Sequence, residues 1–405
     1  MNVYIIDEFV SSQKNGIGTF INELIFSLRN LKLNICIIEF NSNEKIFCIK
    51  KEKTLRKICF PPFPDGRFPR YYKTIDKFFR LYIEDSQENV FMFNHSPCEK
   101  FMEAVKQSFP LSKMVFTIHD MGWTTTLLGD VDKYKEIVLK RRQRKIKDTY
   151  DYILNYFDEE RRMYAIADKI VCLSQGTYNL LIDTYKVKQN KIHLIPNGIR
   201  DIFTPVLESD IAFLKENMHI PKDEKIILYV GRLTEVKGCF VLLNCFKEVL
   251  KQYQNCRLVL AGTMQESLSI LELSNAFATR VSFTGLINRN ELRKWYQIAD
   301  IGIIPSFSEQ SSYTAIEMMM YSLAIVSTNG YGLGNMFNNR KNALTVEIQR
   351  GENVKKYEEN FTNAILEVLN NENLSHTLKT GARKTFLNKF EQKYMQANYK
   401  NLFDY

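Results

Sequence analysis

Glu309 and Glu317 stand eight positions apart, separated by Gln310, Ser311, Ser312, Tyr313, Thr314, Ala315 and Ile316. The apolar run Ile301 to Ile304 reads as a strand that Pro305 ends, and the residues after Ser312 read as a helix. Glu309 then falls on the loop outside a strand's carboxyl end, and Glu317 about one turn into the helix. Between them lies a helix N-terminus, whose N–H groups and positive dipole end suit a phosphate. One carboxylate can face a ligand's reactive end and the other a neutral, hydroxylated part. A second stretch, Val230 to Gly238, carries Arg232 and Lys237 where a strand ends and a helix begins at or near Lys237. A guanidinium and an ammonium so placed can neutralise a diphosphate leaving group, the lesser alternative being that Arg232 merely pairs with Glu235.

Two further places could touch a ligand. Gly16 and Gly18 lie between the opening strand and a helix expected over Phe20 to Leu28, and glycine lets backbone approach a phosphate closely. There is no third glycine, and the gap from Ile6 is too long for a dinucleotide fingerprint, so an ordinary helix start reads the same residues as well. His119 and Asp120 end the run from Met114; such a histidine is either a satisfied core residue or a group presented to a ligand at a strand's carboxyl end. Asp130 and Asp132 have the spacing of a metal-binding pair, but they precede a helix, where acidic residues serve capping and the dipole. No metal site is expected.

These residues must be held by alternating strands and helices. Strand-like runs occur at Val3 to Ile6, Ile35 to Phe40, Val90 to Asn94, Met114 to His119, Lys169 to Leu173 and His193 to Ile195. The pattern restarts at Ile226 to Gly231, Arg257 to Ala261, Val281 to Thr284, Ile301 to Ile304 and Ala324 to Ser327. Helix-length segments between the runs predict an α/β fold of two doubly wound, Rossmann-like domains. The boundary is expected near residues 200 to 222, where Pro196, Gly198 and Pro205 punctuate the chain. The segment Lys133 to Phe157 reads as one basic amphipathic helix. Leu139, Ile146, Tyr150, Ile153 and Phe157 form a stripe, with Lys140, Arg141, Arg142, Arg144, Lys145 and Lys147 beside it. It is either a solvated face over a packed stripe or a contact for an anionic membrane surface.

The 405 residues exceed the size at which one core stops growing, which agrees with two domains. Hydrophobic residues at 45% and charged residues at 25% exclude a disordered chain. No apolar stretch approaches a membrane span and the N-terminus reads as a strand, so the expected location is cytoplasmic, with peripheral contact at the inner membrane face left open. The eight cysteines lack a Cys-x-x-Cys pair and read as buried thiols. A net charge of +9 suggests an anionic partner, but the basic residues lack interleaved recognition aromatics, and no nucleic acid is expected.

Taken in order, Gly16 to Gly18, His119-Asp120, Pro196 to Gly198, Gly231-Arg232 through Lys237-Gly238, Phe283 to Gly285 and Glu309 through Glu317 resemble the retaining GT-B glycosyltransferases. This is the large glycosyl transferases group 1 family, with glycogen-synthase-like and bacterial mannosyltransferase-like members. The resemblance implies two Rossmann-like domains facing each other across a cleft. Residues 1–200, joined by a C-terminal helix at 388–405, would bind the acceptor, and 201–387 would bind a nucleoside-diphosphate sugar. It implies metal-independent transfer without a cofactor, to a glycan, lipid-linked or polypeptide acceptor. By the same resemblance Glu309 lies beside the transferred sugar and His119 hydrogen-bonds that sugar. Arg232 and Lys237 clamp the diphosphate with the backbone near Tyr313 and Thr314, Glu317 takes the ribose hydroxyls, and Leu286 with Ile287 reads the nucleobase. The family often has Gly after the first glutamate, whereas Gln310, Ser311 and Ser312 here imply a bulkier, more polar sugar loop. An inactive partner subunit and a nucleotide-sugar epimerase are alternatives within this architecture.

Overall fold

The computed structural model describes residues 1–8, 16–52, 55–62, 69–95, 98–140, 150–264 and 267–404. The chain forms two compact units, Met1–Gly198 with Gln392–Tyr405, and Ile199–Glu391.

The first unit is built on an eight-stranded sheet in the order β3-β4-β2-β1-β5-β6-β7-β8. Its strands are β1 (Asn2–Glu8), β2 (Asn34–Phe40), β3 (Cys48–Glu52), β4 (Leu55–Cys59), β5 (Asn89–Phe93), β6 (Lys113–Ile118), β7 (Lys169–Cys172) and β8 (Ile192–Leu194). All neighbours are parallel except β3, which runs antiparallel to β4. Ile35, Ile37 and Ile38 in β2 and Val90, Phe91, Met92 and Phe93 in β5 are buried, the continuous apolar runs expected of strands covered on both faces. The β3–β4 hairpin escapes that pattern because Lys50, Lys51, Arg56 and Lys57 interrupt it, and a charged edge strand resists pairing with another chain. The order turns around β1, with β2 on one side and β5 on the other.

The helix Gln392–Phe403 packs on the helix Gly16–Leu28 within this unit. Gln392 Nε2 donates to Glu23 O at 3.1 Å and Lys169 Nζ to Leu402 O at 2.6 Å. Tyr399 is fully buried, its ring 6.5 Å from that of Phe20.

The second unit has six parallel strands in the order β11-β10-β9-β12-β13-β14. They are β9 (Lys225–Val230), β10 (Cys256–Ala261), β11 (Val281–Gly285), β12 (Ile301–Ile304), β13 (Ala324–Thr328) and β14 (Leu344–Val346). The strand order reverses between β9 and β12, and such a switch point leaves a crevice outside the carboxyl ends of the strands. The helix Tyr313–Met320 closes over β12, burying Ala315, Ile316, Met318, Met319 and Met320. Gly302 in β12 permits the approach: a Cβ there would stand 2.6 Å from Met318 Sδ.

The basic segment is described at its two ends, as the helices Val131–Leu139 and Asp151–Ile166. Tyr150, expected inside one long helix, is instead the N-cap of the second, with Asp151 favouring the dipole in its first turn. Arg141, Arg142, Arg144, Lys145, Ile146 and Lys147 lie outside the described residues. All eight cysteines are free thiols, six of them buried. Among the described residues no helix is long and apolar enough to cross a membrane.

Candidate functional site

Three loops at the carboxyl ends of β9, β12 and β13 are stitched together. After β9 the chain makes a short helical turn, Glu235–Lys237, and enters the helix Cys239–Gln252 through Gly238. Gly238 has φ +71°, and a Cβ there would stand 2.1 Å from Pro305 O, so only glycine admits this contact between the β9 and β12 loops. Phe307 N–H donates to Val236 O at 2.9 Å across the same seam. From the β13 side, Thr328 Oγ1 donates to Ser306 O at 2.6 Å, Glu309 N–H to Tyr331 O at 2.8 Å and Tyr331 N–H to Phe307 O at 3.1 Å. Gly332, at φ +83°, lets the backbone of Glu309 pass where a Cβ would be 1.7 Å from its carbonyl oxygen.

This frame brings Lys237 and Glu309 together. Lys237 Nζ lies 2.7 Å from Glu309 Oε1, with the two side chains 22% and 16% exposed, and Ser306 Oγ donates to the same oxygen at 3.0 Å. Arg232 is exposed, and its carbonyl accepts from Tyr229 OH at 2.7 Å. Burial, reinforced by the charges of Cys239 and Glu309, pushes the Tyr229 phenol well above its usual range, while Arg232 opposes the shift. Tyr229 thus lies within electrostatic reach of both Glu309 and Arg232.

Gln310, Ser311 and Ser312 are buried, at 6%, 7% and 5% exposure. Ser312 is the N-cap of the helix Tyr313–Met320, its Oγ accepting from Ala315 N–H at 3.3 Å. Thr314 Oγ1 donates to Val230 O at 3.3 Å, fastening the helix start to the end of β9. Tyr313 is half-buried against the core of the unit. The first amides of this helix therefore sit beside the Arg232–Lys237 loop. Further along the helix, Glu317 Oε2 accepts from Tyr296 OH at 2.8 Å. Leu286 and Ile287 follow the edge strand β11; Leu286 is 80% exposed and Ile287 packs on the core.

The remaining residues lie in the first unit. Gly16 and Gly18 are the first and third residues of the helix Gly16–Leu28, which corrects the expected loop before a helix at Phe20. Gly16 is exposed and Gly18 half-buried. His119 follows β6 with its ring edge-on to Phe20 at 4.4 Å. Burial, with His95 adding to it, lowers its pKa to about 3, so the ring is neutral. Its Nε2 is enclosed and makes no hydrogen bond among the described residues. Asp120 Oδ1 accepts from Met121 N–H and Thr124 Oγ1, each at 2.9 Å, and so braces the turn after His119. Asp130 caps the helix Val131–Leu139 through Lys133 N–H at 3.0 Å. Among the described residues no three His, Cys, Asp or Glu side chains converge as a metal site.

Sequence reasoning missed several members. Ser306, Thr328, Tyr331 and Gly332 hold Glu309, and a Gly-Tyr-Gly run just beyond an apolar strand was the available signal. His95 was missed too; its Nε2 lies 3.1 Å from Glu8 N and 3.3 Å from Asp7 Oδ1, at the ends of β1 and β5.

The chain matches two family models, Glycosyltransferase Family 4 over residues 14–201 and Glycosyl transferases group 1 over residues 210–385. The capsular polysaccharide biosynthesis glycosyltransferase CapM of Staphylococcus aureus is 24% identical over 63% of this chain and 66% of its own length. The chain spans about half to two thirds of the length of the first curated relatives it matches. Among solved structures, sucrose-phosphate synthase of Thermosynechococcus elongatus superposes with a TM-score of 0.76 over 100% of this chain and 98% of that one, at 18% identity. Anabaena HepE, in complex with UDP and glucose, gives 0.71 over 99% of both chains at 13% identity. With both family models aligned along it and the two-sheet GT-B fold in common with these structures, the chain belongs to the group 1 glycosyltransferases.

Proposed function

We propose that the chain is a retaining glycosyltransferase that moves a sugar from a nucleoside-diphosphate sugar to an acceptor hydroxyl. The observation that carries this reading is the meeting of Lys237, Glu309 and Ser306 at the switch point of the second sheet, beside an N-terminal helix turn. Cations and first-turn amides on one side of a carboxylate suit a diphosphate joined to a sugar. Lys237, Arg232 and the amides near Tyr313 and Thr314 take the diphosphate. Glu317 takes the ribose hydroxyls, and Leu286 with Ile287 the base. Glu309 lies beside the sugar, on a loop whose buried Gln310, Ser311 and Ser312 fix its shape. HepE's complex with UDP and glucose supports a donor of this class.

In the reaction the acceptor oxygen bonds to the anomeric carbon as the bond from that carbon to the β-phosphate oxygen breaks. The acceptor proton passes to the departing phosphate oxygen, on the same face, so configuration is kept. Lys237 and Arg232 stabilise the charge that develops on the diphosphate. In the first unit, His119 is neutral and offers a hydrogen bond to a hydroxyl rather than a charge to a phosphate. That unit is assigned to the acceptor, with Gly16 and Gly18 at its helix start, and the second to the donor. The acceptor is a glycan, a lipid-linked glycan or a polypeptide, in surface glycan or glycoconjugate assembly. CapM's capsular role supports that setting. The basic stretch within 133–157 makes peripheral contact with an anionic membrane, and neither metal nor cofactor takes part.

The test is transfer by Arg232→Ala and Glu309→Ala, each expected to fall roughly 100-fold or more, the scale of one lost transition-state stabiliser. The anomeric coupling of the product reports its configuration. Near-normal transfer in both variants, or an inverted product, defeats the proposal.

A further inference from the structure

Glu317 lies on a short helix whose far end is bound to a second helix by aromatic rings. Tyr296, on the helix Arg289–Ile298, is 3% exposed and sends its hydroxyl to Glu317 Oε2 at 2.8 Å. Its ring stacks on Tyr321, the C-cap of Glu317's own helix, with centroids 5.1 Å apart and planes 12° from parallel. Tyr321 in turn meets Phe203 edge-on at 5.9 Å, and Arg383 covers Phe203 at 4.8 Å while pairing with Asp201. The Tyr296 phenol is therefore held by its burial and by the Tyr321 ring, which is itself packed on Phe203.

We propose that Tyr296 is a positioning residue that fixes the Glu317 carboxylate for recognition of the ribose hydroxyls of the donor. The inference rests on the reading of Glu317 as the ribose-binding carboxylate. A glutamate has three rotatable side-chain bonds, and a carboxylate that is to accept from a vicinal diol needs its plane fixed before the ligand arrives. A phenol held by packing and aimed at one oxygen does this. Burial and the neighbouring Glu317 both hold the proton on the Tyr296 phenol, so the hydroxyl stays a donor. The buried hydroxyl, in addition, would have no partner if Glu317 turned away, which sets a penalty on the alternative rotamers.

The experiment measures binding of uridine, guanosine and adenosine diphosphates, and of the 2′,3′-dideoxy form of whichever binds, by calorimetry on the full chain. The unsubstituted protein should prefer the ribose form. Tyr296→Phe should weaken ribose binding about tenfold, the scale of one hydrogen bond to a charged group, and leave dideoxy binding unchanged. Glu317→Gln should lose the same discrimination. Tyr321→Phe, which keeps the ring stack and the Tyr321 N–H bond to Glu317 O and leaves the Tyr296 hydroxyl in place, should keep it. In transfer assays Tyr296→Phe should raise the donor KM with kcat retained. If Tyr296→Phe keeps full ribose discrimination while Glu317→Gln loses it, the positioning role is wrong and the reading of Glu317 stands. If Glu317→Gln also keeps it, or if none of the three diphosphates binds the unsubstituted protein, the reading fails and the inference with it. Melting curves separate general destabilisation, which lowers ribose and dideoxy binding alike.

Discussion

Glu309→Gln should bind a nucleoside diphosphate more tightly than the unsubstituted protein while losing transfer. In the structure Lys237 Nζ is held 2.7 Å from Glu309 Oε1. A phosphate oxygen taken up by the same ammonium would bring its negative charge to roughly 5 Å from the carboxylate. At an effective dielectric constant near 20 that repulsion is about 3 kcal/mol before screening. The two side chains are 22% and 16% exposed, so water reaches the pair and reduces the net effect to about 1 kcal/mol, or some fivefold in Kd. Removing the charge while keeping a side chain able to accept from Ser306 releases Lys237 to the diphosphate. Lys237→Met should do the opposite, weakening diphosphate binding tenfold or more. Calorimetry with UDP, GDP and ADP against the three proteins measures the binding arm, and release of nucleoside diphosphate during transfer measures the other. Because the two groups touch, the double variant should lose less than the product of the single losses in transfer. Looser diphosphate binding by Glu309→Gln would refute the idea that Lys237 is shared between carboxylate and phosphate.

Glu160 supplies a pH test in the first unit. It is buried, accepts from Gly122 N–H at 3.0 Å and from Tyr185 OH, and burial raises its pKa to about 7 despite those bonds. A carboxyl whose folded pKa exceeds its unfolded value binds more protons in the folded state. Its contribution is therefore full below the ordinary value of 4.5 and is lost as pH rises toward 7, by about 3 kcal/mol in all. Glu160→Gln should gain stability over the unsubstituted protein steadily between about pH 5 and 7 and level off above, as melting curves would show; a constant difference across that range would argue against it. Gly238→Ala should cost at least about 2 kcal/mol, from positive φ and the encounter with Pro305 O, and should lower transfer by parting the two loops; denaturant melts check the first effect. Transfer should continue in excess EDTA, and a complete loss restored by a divalent cation would overturn the metal-free reading. Flotation with vesicles rich in phosphatidylserine should decline steeply with salt if the basic stretch meets a membrane, and retention in neutral vesicles would exclude that contact.

The strands were legible because the sheets are parallel and covered on both faces. Ile226 to Gly231 and Ile301 to Ile304 are uninterrupted apolar runs that no amphipathic helix would show. The three strands that went unseen fail for identifiable reasons. β3 and β4 carry lysines and arginine at an edge, where exposure tolerates charge, and β14 is three residues long. The basic run from Lys133 looked like one helix because spacing cannot register the restart at Asp151. The helix begins at Gly16 rather than at Phe20 because the cost of glycine in a helix is small in the first turn, where few intrahelical bonds exist to be weakened.

The candidate site was legible in its charges and opaque in its supports. Arg232, Lys237, Glu309 and Glu317 stand out because charged side chains gathered just past strand ends and at a helix start have few structural reasons to be there. Thr328, Tyr331 and Tyr296 act through hydrogen bonds whose partners are distant in sequence: Thr328 bonds a carbonyl 22 positions away and Tyr296 a carboxylate 21 away. No local pattern encodes such a bond, because the two residues meet only after β12, β13 and their helices have packed. What sequence does encode is the strand order that forces the meeting. Adjacent β9 and β12, entered from opposite directions of the winding, leave their following loops side by side; Gly238 removes the side chain that would hold those two loops apart, and Gly332 does the same between the β12 and β13 loops. The two glycines are thus as much a part of the Lys237–Glu309 contact as the charges are: a methyl group at either position would separate the loops before the ion pair could form.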